Sequence, residues 1–204
     1  LFSLCATAQT VAGQNALEMA QGQKVAPAQT ALRLLLILAE TVGEHVKHLL
    51  LDGPLAFDLA PDVPAVKQIR KHIGVLKDLT TDRQALAEWQ ESLRQLVLSQ
   101  VMGGADAAAL ASQAELDGWC RHNGAAPARL LHQILRQGLA SFGAGATPQM
   151  GRLGSDELRL RLKNDADQAF ASAPQSAGGL CLETGPLSRQ SEHPLIKDLY
   201  RNNG

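Results

Sequence analysis

A run of apolar side chains spaced three and four residues apart constrains the fold of this chain most strongly. The run begins at Ala28, and its members are Leu32, Leu35, Leu36, Ala39, Val42, Val46, Leu49 and Leu50. This spacing places them on one face of an α-helix, which must be buried against other elements. The apolar centre, ALRLLLILA, is too short and too soon followed by charge to span a bilayer. A long buried helix is therefore predicted, without membrane insertion.

The composition indicates that the rest of the chain is also helical. Aromatic residues are only 3% of the chain, whereas Ala, Leu and Gln are plentiful, and this balance suits helices better than sheets. Only GGLCLETG, residues 178–185, alternates as a strand would. Caps and apolar spacing predict further helices at 3–21, 64–74, 83–102 with Asp82 as its cap, 106–121, 127–142 and 156–170.

The predicted organisation is a single domain over residues 1–204, since a chain of 204 residues that is 45% hydrophobic can bury one sizeable core. Within it we expect a mainly α helical bundle at 1–143 and a Gly- and Pro-interrupted segment with one helix at 144–177. Residues 178–204 are expected to form a short irregular C-terminal lobe. The chain begins with Leu1 and lacks a signal-peptide pattern, so we expect residues before Leu1 and allow for others after Gly204.

Charge and cysteine content limit the partners and the compartment. The chain has 19 basic and 20 acidic residues and a net charge of −1, which favours neither nucleic acid nor an anionic membrane surface as partner. Its three cysteines, Cys5, Cys120 and Cys181, are odd in number and widely spaced, unlike a disulfide framework. A reducing compartment, the cytoplasm, is predicted.

Cys5 is the first candidate site residue. It falls in the first turn of the first predicted helix, where unpaired N–H groups and the positive end of the helix dipole favour a thiolate. Gln9 lies one turn on, on the same face, beside the small residues Ala8 and Ala12. The alternative is a buried structural cysteine on a stripe of small residues.

Two histidines on the long helix are a second candidate. His45 and His48 are three residues apart, a spacing that can share one metal ion or one polar cluster. Neither an HExxH pattern nor a carboxylate or cysteine at ligand spacing accompanies them, so a hydrogen-bonded, partly buried pair is favoured over a metal site. In Trp119–His122, neighbouring helical side chains point in different directions, and Cys120 is interpreted as structural.

Familiar catalytic motifs are missing from the sequence. It contains no P-loop, no GxGxxG and no GxSxG pattern, so nucleotide-binding and serine-hydrolase classes are not indicated. In GGLCLETGPLSRQ, Gly185 and Pro186 form a sharp turn flanked by Glu183 and Arg189. The guanidinium of Arg189 stays charged and can hydrogen-bond an anionic or strongly dipolar ligand. The residues alone indicate a turn with an ion pair.

Three of these segments together resemble the large subunit of nickel–iron hydrogenases. That family has a C-x-x-C-x-x-x-H motif at the head of a helix, then an HDHxxH-like sequence on a long helix, then a segment of the form E-x-G-P-L-A-R. Residues 2–9, 44–48 and 183–189 are similar to these motifs in the same order. The resemblance implies a helical bundle like the core of that subunit.

The departures from the motifs matter as much as the matches. Phe2 stands where the family has its first cysteine, Gln9 stands where it has histidine, and no C-terminal C-x-x-C precedes Gly204. At most one of the four metal-binding thiolates remains, so a competent hydrogenase site is not expected. The chain is similar in this respect to the hydrogenase expression and formation proteins, which look like large subunits stripped of most metal ligands. That resemblance implies a non-enzymatic scaffold that transiently holds the iron–cyanide–carbonyl unit.

The resemblance also implies site residues and partners. Cys5 would be the metal ligand, with Arg189, Gln9 and Pro186 binding the unit; a maturation chaperone and the hydrogenase large subunit would be the partners. An iron ion that carries cyanide and carbon monoxide needs only one or two soft donors from protein, and Arg189 could hydrogen-bond a cyanide nitrogen if it folds back near Cys5. Two alternatives stay open: a fragment or shortened relative of a catalytic large subunit, and a metal-free helical protein-interaction module.

Overall fold

The chain is helical throughout the parts that its structure, a computed structural model, describes, namely residues 5–79, 82–142, 155–165 and 185–203; none of these residues lies in a β-strand. The helices are α1 (Ala6–Ala20), α2 (Pro27–Lys47), α3 (Gly53–Ala56), α4 (Val63–Gly74), α5 (Arg83–Gln100), α6 (Gln113–His122), α7 (Ala126–Arg136), α8 (Ser155–Lys163), α9 (Pro186–Arg189) and α10 (Pro194–Asn203). The prediction of a mainly α fold is confirmed.

The chain divides into two compact units. The first comprises Leu1–Ala107 and Cys120–Arg136, and the second comprises Ala108–Trp119 and Gln137–Gly204. A single domain over residues 1–204 stays a prediction. So does the resemblance of the bundle to the core of a hydrogenase large subunit.

The long apolar helix of the sequence forms the centre of the first unit. It begins at Pro27, whose fixed φ suits the first helical position. Its buried apolar positions, Ala39 and Val46, join a core built from α2, α4, α5, α7 and the turns between them. The remaining buried members of that core are Leu50, Ala65, Val66, Ile69, Leu76, Trp89, Leu93, Val101 and Ala126.

The end of α2 changes its hydrogen-bond pattern. Residues His48–Asp52 form a π-helical turn, which leads directly into α3. A β-carbon on Gly53 would lie 2.5 Å from a methyl carbon of Leu130 and 2.8 Å from the carbonyl oxygen of His48. Only glycine therefore lets α7 pack this closely against the turn.

Side-chain caps fix where α4 and α5 begin. Asp62 accepts a hydrogen bond from the amide of Ala65 at 3.1 Å. Asp82 accepts from Gln84 at 2.9 Å and from Ala85 at 3.1 Å, as its predicted role as a cap requires.

Other predicted boundaries differ from the structure. The first helix begins at Ala6 and not at Ser3, and Ser3 lies outside the described residues. The helix expected over 106–121 is wrong in its first half, because α6 begins only at Gln113. There Ser112 accepts from the Glu115 amide at 3.3 Å and Glu115 accepts from the Ala111 amide at 2.9 Å, an arrangement like a capping box in which the glutamate accepts from the residue before the cap.

The C-terminal ends of two predicted helices also need correction. α7 stops at Arg136, short of the predicted end at residue 142, and Gly138 then adopts a φ of 70°, which ends helical backbone. The helix predicted over 156–170 is present as α8 up to Lys163, and its last residues lie outside the described part.

In the second unit, α10 is tied to the start of α6. The carboxylate of Asp198 accepts a hydrogen bond from the backbone amide of Gln113 at 2.8 Å. The described C-terminal residues form α9 and α10, so this part is more regular than the irregular lobe that the sequence predicted. The strand-like stretch at 178–184 lies outside the described residues. Within the described helices, none has the length and apolar character needed to cross a membrane.

Candidate functional site

Cys5 is the N-cap residue of α1, and its thiol is exposed. Its side chain makes no capping hydrogen bond, and its backbone carbonyl accepts the amide of Gln9 at 3.0 Å. The side-chain amide of Gln9 donates to the Cys5 sulfur at 3.8 Å, so the structure brings these two residues together on one face. The interpretation of Cys5 as a buried structural cysteine is wrong, whereas Cys120, only 3% exposed, is buried as expected.

A carboxylate from α2 caps the head of α1. Glu40 accepts the amide of Thr7 at 2.8 Å through Oε1 and the amide of Ala8 at 3.1 Å through Oε2. Two of the first N–H groups of α1 therefore have an anionic partner. The expectation that unpaired N–H groups at this end would favour a Cys5 thiolate does not hold for these two groups. Partial burial opposes ionisation of Glu40, but the hydrogen bonds from Thr7 and Ala8 outweigh it and lower the pKa of its carboxyl.

A second contact joins the other end of the same two helices. The guanidinium of Arg33 makes two hydrogen bonds of 2.6 Å to the carboxylate of Glu18 and one of 2.7 Å to the side-chain oxygen of Asn15. Hydrogen bonding to Arg33 lowers the pKa of Glu18. Because α1 is tied to α2 at both ends, the position of Cys5 is set by α2.

The chemistry available at Cys5 is that of one soft donor. Its sulfur is exposed, an amide group lies beside it, and a carboxylate neutralises the positive end of the helix that carries it. Within the described residues, no group of three or more His, Cys, Asp or Glu side chains is arranged to hold a metal ion. A metal bound at Cys5 would therefore have to bring most of its other ligands with it.

The predicted C-terminal site residues lie on α9. Pro186 begins this helix and is exposed, Ser188 is fully buried, and Arg189 ends the helix with an exposed side chain. Arg189 belongs to the second unit of the fold and Cys5 to the first. The convergence of Arg189 on Cys5 stays a prediction, as do the ligand-binding roles of Arg189, Gln9 and Pro186. Glu183 lies outside the described residues.

The histidine pair is more exposed than predicted. His45 is exposed, and the side chain of His48 is 64% exposed. His48 Nδ1 lies 2.9 Å from Oδ2 of Asp52, and the Lys47 ammonium lies 2.8 Å from the same oxygen. The hydrogen bond from Lys47, helped by the charges of Lys47 and His48, lowers the pKa of Asp52. The expected hydrogen bonding is present for His48, but the expected burial is wrong.

A polar cleft of about 440 Å³ opens elsewhere in the first unit. Its polar side chains are those of Asp62, Ser99, Gln100, His122, Asn123 and Arg129. Neither Cys5 nor the histidine pair lines it. Asn123 forms part of one wall, and its side-chain amide donates to the carbonyls of Met102 and Gly103. This amide therefore holds the turn at residues 102–103 in place.

Glu40 is the residue that sequence reasoning missed. It lies within a predominantly apolar stretch of α2, seven residues after Arg33, and both face α1. Two charged residues two helical turns apart in an apolar helix are a signal that a second helix passes there. The signal does not reveal that the partner of Glu40 is a pair of backbone amides.

Comparison with known proteins gives one informative similarity. Over 120 residues the chain is 34% identical to the hydrogenase expression/formation protein HupK of Bradyrhizobium diazoefficiens. This stretch is 56% of the present chain but only 33% of that protein, so the chain spans about a third of the relative's length. No family model matches the chain. No solved structure matches it either. The chain is thus similar, over somewhat more than half its length, to a protein named for the expression and formation of hydrogenase.

Proposed function

We propose that this chain takes part in the formation of nickel–iron hydrogenase as a non-catalytic assembly scaffold. In this role it holds the iron–cyanide–carbonyl unit for a time and passes it to the hydrogenase large subunit. The observation that carries the proposal is the exposed Cys5 thiol at the head of α1, in a chain similar to a hydrogenase expression/formation protein. The three motif-like segments of the sequence, in the order of the large-subunit motifs, support the same role.

The chemistry of the cargo suits a single sulfur ligand. Cyanide and carbon monoxide fill most positions around a low-spin ferrous ion, and a thiolate is the kind of soft donor that such an ion accepts from protein. One protein ligand holds the unit less firmly than four thiolates would. Weak attachment is what a protein needs if it must release its cargo to another.

The capping of α1 by Glu40 supports Cys5 as the donor. An N-cap side chain normally turns back to accept the amides two and three residues on. Here Glu40 accepts those amides, from Thr7 and Ala8, so the Cys5 sulfur is not drawn into its own helix. Among the described residues, the side chain that contacts the sulfur through a hydrogen bond is that of Gln9, a neutral donor. A sulfur in this setting is available to a ligand from outside.

The proposed partners are a maturation chaperone and the hydrogenase large subunit. We assign the binding of these partners to the exposed apolar surface of α1 and α2. It consists of Leu17, Met19, Leu34 and Leu38, each more than half exposed. Leu34 and Leu38 are four residues apart and so share one helix face. Loss of chaperone binding in Leu34→Asp, with binding kept in Leu160→Asp on α8, would support this assignment.

Infrared spectroscopy tests the central proposal. The chain is coexpressed with the hydrogenase maturation machinery and purified without oxygen. Cyanide and carbonyl stretching bands are expected in the wild-type protein and are expected to disappear in Cys5→Ala. Cys120→Ala is the matched control, because it removes a buried thiol, and its bands should persist. Bands absent from the wild type, or unchanged in Cys5→Ala, would reject the scaffold function.

Partner binding and the coding sequence address the two alternatives. A metal-free interaction module would bind its partners equally well with and without Cys5 and would show no infrared bands. A fragment or shortened relative of a catalytic large subunit predicts that coding sequence after Gly204 contains a D-P-C-x-x-C motif. The exposure of Cys5 weighs against the module, for which a packed, buried sulfur was expected.

A further inference from the structure

The end of α2 presents two imidazoles on one side of the helix. The backbone from His45 to His48 is α-helical, because the amide of His48 bonds to the carbonyls of Glu44 and His45. Side chains three residues apart in such a helix are neighbours, with β-carbons about 5–6 Å apart. Both rings are exposed to solvent. They are therefore close enough to act on one small ligand.

Asp52 orients one of the two rings. Its Oδ2 atom lies 2.9 Å from Nδ1 of His48 across the π-helical turn. A carboxylate can only accept, so Nδ1 carries the proton and Nε2 is the nitrogen left for a ligand. Carboxylate groups placed in this way behind a histidine are the usual device that fixes the ring of a metal ligand.

The remaining ring nitrogens have no competing protein contact. Across residues 5–79, 82–142, 155–165 and 185–203, neither the His45 ring nor Nε2 of His48 has a hydrogen-bond or ion-pair partner. Lys47, which lies between the two histidines in the sequence, carries a positive charge, and its ammonium is engaged by Asp52 at 2.8 Å. The carboxylate of Asp52 therefore offsets the positive charge of Lys47, which would otherwise repel a metal cation.

We propose that His45 and His48 form an open two-histidine site for a divalent late transition metal, with Asp52 as its positioning residue. Imidazole suits Ni²⁺, Cu²⁺ and Zn²⁺, and the affinity of nitrogen ligands is highest for Cu²⁺ in this series. In the described part of the chain no third His, Cys, Asp or Glu completes such a group. The other coordination positions fall to water or to a partner's ligand, which permits uptake and release. The site does not use Cys5 and does not depend on the proposed function.

Metal titration of the purified chain tests the proposal. Ni²⁺ and Cu²⁺ are added separately and followed by calorimetry, and the Cu²⁺ sample is also examined by electron paramagnetic resonance. We expect a saturable site with nitrogen hyperfine coupling. Binding should be lost in the double variant His45→Ala, His48→Ala, and Asp52→Asn should weaken it roughly tenfold, the lower end for loss of an outer hydrogen-bond partner.

Two controls distinguish this site from others. His122→Ala removes an exposed histidine that is alone in its helix, and Cys5→Ala removes the exposed thiol; both should leave the affinity unchanged. No saturable binding by the wild type, or equal binding by the double histidine variant, overturns the site. Loss of binding in Cys5→Ala also overturns it, because the metal would then be held by sulfur. An unchanged affinity in Asp52→Asn overturns the role given to Asp52.

Discussion

His72 and Trp89 each bond to the other's main chain. The indole Nε1 of Trp89 donates to the carbonyl of His72 at 2.8 Å, and Nε2 of His72 lies 3.0 Å from the carbonyl oxygen of Trp89. Because a carbonyl only accepts, Nε2 must carry the proton. The rings stack with centroids 5.7 Å apart and planes within 3°. This reciprocal contact fixes α4 against α5 beside the core.

Replacement of Trp89 by phenylalanine is expected to weaken that contact. Trp89→Phe keeps an aromatic ring but removes the indole donor, so the carbonyl of His72 is left with the backbone amide of Val75 as a donor. We expect the free energy of unfolding to fall by about 0.5–1.5 kcal/mol, the usual net contribution of one intramolecular hydrogen bond. Urea denaturation followed by circular dichroism measures it. His72→Phe, at a half-buried position, should have a smaller effect, and the reverse order would contradict this account of the pair.

Glu40 makes the attachment of α1 depend on pH. Its pKa is lowered in the folded protein from the ordinary value of 4.5, so the folded state favours the carboxylate. The stabilisation is fully present above pH 4.5 and is lost as the pH falls through the lower, folded pKa. We expect wild type to be more stable than Glu40→Gln at neutral pH, with the difference shrinking on acidification. Unfolding curves at a series of pH values measure this, and a difference that stays constant would be evidence against it.

Gly53 is expected to reject any side chain. In Gly53→Ala the new methyl would clash with Leu130 and with the carbonyl of His48, and the carbonyl is backbone and cannot move freely. We expect a loss of about 1–3 kcal/mol, as for other overpacked positions. Gly13→Ala is the matched control, because nothing lies within 4 Å of its added β-carbon in α1. That variant should gain roughly 0.5–1 kcal/mol, and thermal melting of the two should therefore shift in opposite directions.

Sequence alone was sufficient where burial and helical periodicity coincide. The long helices α2 and α5 each have one continuous apolar face, and the cap of α5 is the predicted residue, Asp82. Local rules decide such elements. The start of α6 was also decided locally, by Ser112 and Glu115, but the apolar and alanine-rich residues before it obscured that signal.

Contacts distant in sequence account for what the sequence did not predict. The close approach of Leu130 to Gly53 depends on how α7 packs, and the capping of α1 by Glu40 depends on the register of two helices. Neither is encoded in the spacing of neighbouring residues. The pairing of Cys5 with Gln9 was predictable because both lie on one helix, one turn apart. The exposure of Cys5 was not predictable from the sequence, because it depends on which other elements pack against α1.

The different exposure of Cys5 and Cys120 predicts very different rates of alkylation. Cys5 is exposed and Cys120 is 3% exposed, so iodoacetamide should modify Cys5 in the native protein while Cys120 reacts only after local or global opening. Peptide mapping by mass spectrometry follows each cysteine on its own peptide, and a sample in denaturant shows that all of them can react. Cys5→Ala should remove the fast phase, and addition of denaturant should accelerate Cys120 far more than Cys5. Equal native rates for the two thiols would mean that Cys120 is not buried where α6 packs. Cys5 would then be no more accessible to an outside ligand than Cys120.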